Sequence, residues 1–228
     1  MITTVFFDLD DTLLDFHKGE AIAIRKALRQ MGVEPTEAVV ARYSTINQRQ
    51  WELLEAREIT REQVLYRRFD SLYQELGVSR SSRETQTYYE DFLADEAHYL
   101  PGSRELLEEL APKYRLYLVS NGTWPVQSRR IASSGIGRYF QDIFISELVG
   151  VDKPQKEFFD RCFARIPDFS RENSIIVGDS LTSDIRGGNN AGLLTCWFNP
   201  HGKPRREGIR VDHEISRLSQ LPGLLSSL

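Results

Sequence analysis

The sequence predicts an α/β fold, a mostly parallel sheet with helices on both faces, into which a separate block of four helices is inserted. Three observations predict it. The chain opens with a short apolar run, Val5-Phe6-Phe7, ending in Asp8, the pattern of a buried parallel strand with polar residues at its carboxyl end. Between residues 17 and 100 glycine occurs only at Gly19, Gly32 and Gly77, and apolar residues recur at helical spacing. Beyond Leu100-Pro101-Gly102, helical and strand patterns alternate. The helical block thus falls between the first strand and the rest. A core of residues 1–16 and 101–228 and a cap of residues 17–100 are expected, hinged near Asp15–Lys18 and Ala97–Gly102.

In the cap, Ala21, Ile24, Leu28 and Met31 share one face of a first helix. Val39, Val40, Tyr43, Trp51 and Leu54 fall along a longer second helix. Thr60 with Gln63 makes a capping-box start for the third, which carries Val64, Phe69, Leu72 and Tyr73. Residues 85–93 supply the fourth, with Tyr88, Tyr89 and Phe92. In the core, a helix at 103–110 precedes a strand at 115–119, and a helix at 125–134 precedes a strand at 143–146. A helix at 156–165 leads to a strand at 174–177, and a helix at 182–191 leads to a strand at 195–198. His213-Glu214-Ile215 suits an added edge strand.

Composition narrows the functional classes. The chain is 40% hydrophobic and 27% charged, with a mean hydropathy of −0.40. No apolar run approaches the roughly 20 residues of a membrane span, and the first residues lack the basic start and long apolar stretch of a secretory signal. A cytoplasmic protein without a membrane partner is expected. Net charge is −4, and the basic cluster of Lys203, Arg205, Arg206 and Arg210 is short, so it reads as a solvated loop and not as a nucleic-acid face. Cys162 and Cys196 lie far apart, outside any metal-ligand spacing, and the four histidines (His17, His98, His201, His213) do not cluster.

Ligands of such a sheet bind at the carboxyl ends of its strands. The first strand ends in Asp8-Leu9-Asp10-Asp11-Thr12 and the second in Ser120-Asn121-Gly122-Thr123. The third leads into Asp152-Lys153-Pro154, and the fourth ends in Gly178-Asp179-Ser180 with Asp184 following. Isolated strand-end carboxylates are common caps, but four strand ends loading one crevice are not what caps predict.

Several ionised carboxylates share a site only when cations hold them, because like charges raise each other's pKa. Magnesium takes oxygen ligands and often keeps waters beside a phosphate. Asp8 and Asp179 can give it carboxylates and Asp10 its backbone carbonyl, which leaves the Asp10 side chain for proton transfer. Asp8 can then attack phosphorus. Lys153 offers a second positive charge. Ser120 and the N–H groups of Asn121 and Gly122 can bind the phosphoryl oxygens.

Asp8-Leu9-Asp10-Asp11-Thr12, Ser120-Asn121-Gly122, Lys153-Pro154 and Gly178-Asp179-Ser180 with Asp184 resemble, in order, the four motifs of the haloacid dehalogenase-like hydrolase superfamily. The resemblance covers essentially the whole chain, the helical cap included. It implies a Rossmann-like three-layer core in which Asp8 is phosphorylated while Asp10 protonates the leaving oxygen and then activates water. Dehalogenase members lack an acid at the Asp10 position, so its presence implies phosphoryl chemistry. Asp184 is implied in the metal's second shell or bound through water, and Thr12 in anchoring the motif loop. Asp11 and Asp152 read as solvent-facing or local caps.

The segment from Asp179 to Ile185, then Gly187-Gly188-Asn189-Asn190-Ala191-Gly192, and Cys196-Trp197-Phe198-Asn199 are similar to the branch of bacterial house-cleaning 5′-nucleotidases. Asn47, Trp51, Arg68 and Phe69 in the cap also look like that branch, and are candidate substrate contacts. Cap aromatics at helical spacing equally suit a four-helix core. The expected substrate is a small phosphate ester, a nucleoside 5′-monophosphate first and a sugar phosphate as the alternative. A phospho-acceptor signalling module is the remote alternative, since receiver domains lack both the cap and the Asp-x-Asp pair. A monomer or weak dimer is expected.

Overall fold

The computed structural model describes residues 1–228. Six parallel strands form one sheet in the order β3-β2-β1-β4-β5-β6. They are β1 (Thr4–Phe7), β2 (Arg115–Ser120), β3 (Asp142–Ile145), β4 (Ser174–Gly178), β5 (Leu194–Phe198) and β6 (His213–Ile215). Ten α-helices accompany them. The cap holds α1 (Phe16–Gln30), α2 (Glu37–Glu55), α3 (Arg61–Leu76) and α4 (Ser82–Leu93). The core holds α5 (Ser103–Leu110), α6 (Trp124–Ser134), α7 (Ser146–Val149), α8 (Lys156–Phe163), α9 (Arg186–Ala191) and α10 (Leu221–Ser227). None of the helices is long and apolar enough to cross a membrane.

Strand periodicity divides the core into two layers. Val5, Phe7, Leu116, Leu118, Ile175 and Val177 point to the face covered by α5, α6 and α10. Phe6, Tyr117, Val119 and Ile176 point to the opposite face, against Phe158, Phe159, Cys162 and Phe163 of α8. Cys162 and Cys196 are buried free thiols on opposite faces. The chain runs outward from β1 through β2 to β3, then returns to β4 on the other side of β1. This reversal opens a crevice at the carboxyl ends of the central strands. Register brings their polar ends level, since Phe7 pairs with both Leu118 and Val177.

The cap has its own apolar centre, in which Ile24, Leu28, Tyr43, Phe69, Leu72 and Tyr89 meet. Thr36, Thr60 and Ser81 cap α2, α3 and α4, and Thr60 and Gln63 make the full capping box. The two crossings hold each other. Leu14 bridges Tyr99, the Asp15 N–H donates to the His98 carbonyl at 2.8 Å, and the Leu100 N–H donates to the Leu13 carbonyl at 2.9 Å.

Two local features depart from expectation. The helix read over 182–191 begins as a wide π-type turn, Leu181–Ile185, before α9. Helix α10 has no counterpart in the sequence reading, because Pro222 and Gly223 mask its pattern; Leu221 and Leu225 nonetheless bury against the sheet.

Candidate active site

Each functional candidate of the core sits in the crevice for a local reason. Asp8 follows β1 directly, and Thr12 sits between it and β4: its Oγ1 donates to Asp8 Oδ2 at 3.4 Å and accepts the Asp179 N–H at 3.1 Å. Lys153 arrives on the loop after α7, held by Asn121, whose amide makes two 2.9 Å hydrogen bonds with the Lys153 backbone. The Lys153 side chain is 1% exposed, and its Nζ donates to Asp8 Oδ1 at 2.7 Å, Asp184 Oδ1 at 2.7 Å and the Val119 carbonyl at 2.8 Å. Ser120 Oγ accepts from the Gly122 N–H at 3.2 Å, which folds the loop after β2 tightly. A side chain on Gly122 would collide with Gln127.

Carboxylate oxygens of Asp8, Asp179 and Asp184 lie within 4.8 Å of one another. Burial, with Asp184 and Asp10 adding repulsion against the pull of Lys153, pushes Asp8 up to about 8. Burial and the charges of Asp11, Asp8 and Asp184 lift Asp179 well above the usual carboxylate range. Burial works against the Lys153 charge, but Asp184 and Asp8 outweigh it and hold the ammonium above its ordinary value. Both Asp184 oxygens are taken, by Lys153 and by the Ser180 N–H at 3.1 Å. Lys153 thus pairs with two of the three clustered carboxylates and leaves Asp179 without a cation, a place that a hard divalent ion would fill.

The cap closes this crevice into a cavity of about 480 Å³. Asn47, Trp51 and Arg68 line it. Phe69 does not, which corrects the sequence reading: it is fully buried in the cap centre, stacked on Tyr43 at 5.4 Å and edge-on to Tyr89 at 5.8 Å. Helical periodicity turns it inward while placing its neighbour Arg68 on the cavity side. The Asn47 amide donates to Glu20 at 2.7 Å and accepts from Arg68 at 2.8 Å, and Arg68 donates on to Gln86 at 2.6 Å. Ser44 completes the Glu20 pairing at 2.6 Å.

Several residues at the site lay outside the sequence reading. The guanidinium of Arg61, in the first turn of α3, donates to the Asn121 and Gly122 carbonyls at 2.9 and 3.4 Å and to Ser146 Oγ and Asp152. One cap residue thereby grips both the Ser120 loop and the Lys153 loop, and Asp152 is its ion-pair partner. Asp11, expected as solvent-facing or a local cap, is a cap: in a left-handed backbone conformation it accepts the Phe16 and His17 N–H groups of α1 at 3.0 and 3.2 Å. Gln127 and Arg130, one helical turn apart on α6, both reach Asp10. Their position just after Ser120-Asn121-Gly122, on one face of the helix, is the signal that could have found them. Glu55 ends α2 with a carboxyl that burial pushes up to about 7, and its Oε2 has no partner. Lys203, Arg205 and Arg206, expected as a solvated loop, are exposed but border the cavity, and Arg206 reaches Glu52 of the cap at 3.3 Å.

Residues 2–192 match the family model of the haloacid dehalogenase-like hydrolases, and the chain belongs to that family. It is similar to the HAD-hydrolase YfnB of Bacillus subtilis, whose magnesium-bound crystal structure reveals interdomain movement: 40% identity, TM-score 0.95, 98% of each chain covered. It is 37% identical to the pyrimidine 5′-nucleotidase PynA of Streptococcus pneumoniae, over 92% of this chain and 90% of that protein. It is 32% identical to the pyrimidine 5′-nucleotidase YjjG of Escherichia coli, over 97% of this chain and 96% of that protein.

Proposed function

We propose that this haloacid dehalogenase-like hydrolase is a magnesium-dependent phosphomonoesterase that forms a phosphoryl-aspartate on Asp8, with nucleoside 5′-monophosphates, pyrimidine ones foremost, as substrates. The observation that carries the reading is the Lys153 ammonium seated between Asp8 and Asp184 while the nearby Asp179 carboxylate has no donor. That arrangement orients a nucleophile and leaves a place for a cation.

The donor set suits Mg2+, since every side-chain group in it is a hard oxygen. Asp8 and Asp179 would hold it with carboxylates and Asp10 with its backbone carbonyl; Asp184, already paired with Lys153, would stand behind them or act through water. Such an ion would neutralise the carboxylates and supply positive charge for the phosphoryl oxygens.

Ser120 and the N–H groups of Asn121 and Gly122 hold the phosphoryl group, the Gly122 N–H turning to it from its 3.2 Å bond to Ser120 Oγ. The Asp8 carboxylate attacks phosphorus, the ester P–O bond breaks, and the proton on Asp10 passes to the leaving oxygen. Water then attacks the acyl-phosphate and gives its proton to Asp10. The bond from Asp8 to phosphorus breaks, and inorganic phosphate and a free carboxylate result. Residues 1–16 and 101–228 carry this chemistry, and residues 17–100 choose the substrate, with Asn47, Arg68 and Trp51 facing it.

Substrate choice rests on the resemblance to two proteins named as pyrimidine 5′-nucleotidases and on a cavity of about 480 Å³ that offers an aromatic face and amide groups. Phosphate release from a panel of nucleotides and sugar phosphates, with Mg2+ and with EDTA, tests both parts. Pyrimidine monophosphates are expected to lead, with turnover lost in EDTA. A preference for sugar phosphates overturns the substrate reading alone; full turnover in EDTA overturns the metal.

A further inference from the structure

The Asp10 side chain is held more firmly than a freely swinging acid needs to be. Its Oδ2 accepts from Gln127 Nε2 at 2.6 Å, and its Oδ1 accepts from Arg130 Nη1. The same Gln127 Nε2 donates to Ser120 Oγ at 2.9 Å, and Gln127 Oε1 accepts from Arg130 Nη1 at 2.9 Å. Arg130 Nε is anchored at 2.9 Å on the carbonyl of Glu96, just before the returning cap crossing. Arg130 is fully buried and Gln127 is 1% exposed.

A buried guanidinium is costly unless paired, and Asp10 is the single carboxylate that Arg130 meets. The pair is therefore held by more than chance surface attraction. Arg130 Nη2 is enclosed without a partner, so the guanidinium has a donor in reserve for a carboxylate that turns. Gln127 links two groups from separate motifs, the Asp10 carboxyl and the Ser120 hydroxyl, and so sets their spacing. A general acid acts only within hydrogen-bond reach of the leaving oxygen, which makes its orientation as consequential as its presence.

We propose that Arg130 and Gln127 are the positioning residues of the proton-transfer carboxyl, setting the Asp10 side chain toward the leaving oxygen relative to the phosphoryl group held at Ser120. This rests on Asp10 being the general acid. The role belongs to the α6 helix of the core, and the cap touches it through the Glu96 carbonyl.

The test is leaving-group dependence in single turnovers with saturating Mg2+. Release of p-nitrophenolate from p-nitrophenyl phosphate needs no proton, whereas release of uridine from uridine 5′-monophosphate does. For Arg130→Gln and Gln127→Leu, the ratio of uridine release to p-nitrophenolate release is expected to fall by about 10²-fold or more, with Gln127→Leu, which also frees the Ser120 hydroxyl, lowering both rates but unequally. Arg130→Lys, which keeps the buried charge, should fall between. If the variants slow both substrates equally, or neither, the positioning role is wrong and the residues serve only the fold. Asp10→Asn separates this from the underlying reading: a variant that shows no selective loss for uridine 5′-monophosphate removes Asp10 as the acid. Should Arg130→Gln fail to fold, Gln127→Leu and Arg130→Lys decide alone by the same ratio.

Discussion

The core crevice and the cap wall face each other across one cavity, and both bury polar side chains, but they balance them differently. In the crevice the imbalance is of charge: of three clustered carboxylates the one ammonium meets Asp8 and Asp184 but not Asp179, and burial, with repulsion among them, pushes Asp8 and Asp179 upward. In the cap network around Asn47 one negative and one positive charge are matched, with Glu20 served by Ser44 and Asn47, and Arg68 by Asn47 and Gln86. Buried cap atoms without a partner are Gln86 Nε2, the hydroxyls of Tyr43 and Tyr89, and, at the seam with the core, Glu55 Oε2. The crevice's surplus of negative charge suits a cation, whereas the cap wall turns the Trp51 and Tyr89 rings and the Asn47 amide toward the cavity.

The contrast can be broken at three points. Asp8→Asn, which removes the proposed nucleophile, should cut phosphate release on the order of 10⁴-fold or more, and acid quenching should trap no phosphorylated protein. Undiminished turnover would remove the covalent mechanism and, with it, the meaning given to the crevice.

Arg68→Met acts on the cap side. It leaves the Asn47 and Gln86 carbonyl oxygens buried without their donor and removes a guanidinium lying 4.7 Å from the Tyr89 ring. The expected loss is about 2–4 kcal/mol of stability, read by denaturant unfolding, together with a raised KM for nucleotides. A variant as stable as its parent would show that the cap network is ornamental.

Glu55→Gln gives the smallest effect, at the seam between the two regions. Burial raises the folded-state value from 4.5 to about 7, so the folded protein holds this proton more tightly than the unfolded chain. The stabilisation is complete below about 4.5 and is lost as pH rises through about 7. Thermal unfolding in EDTA should therefore show a decline between those values that is shallower in the variant. An unchanged slope would mean that other groups produce the decline.

Much of the fold was legible because its signals are local. Strands with polar ends, the capping box at Thr60 and the glycine-poor insertion each depend on residues close in sequence. Asp8, Ser120 and Asp179 were legible for the same reason, as each stands at or just after a strand, with Lys153 following one short helix beyond β3, and the topology of an open parallel sheet gathers such ends. Helix α10 escaped because Pro222 and Gly223 disfavour the helix that burial of Leu221 and Leu225 imposes.

Taken alone, the order of motifs and elements along the chain determined the α/β core, the inserted cap and the acidic crevice. Only the tertiary structure decided which cap side chains face the cavity. Trp51 and Phe69 carry the same helical signal, yet Trp51 lines the cavity while Phe69 lies in the cap centre. Periodicity marks an apolar face without naming what that face meets. The same holds for Arg61, Gln127 and Arg130, whose contacts with Asn121 and Asp10 span 60 to 120 positions, and for Arg130 with Glu96, 34 positions away. Contacts at that separation exist only once cap and core have packed, so no stretch of sequence holds them.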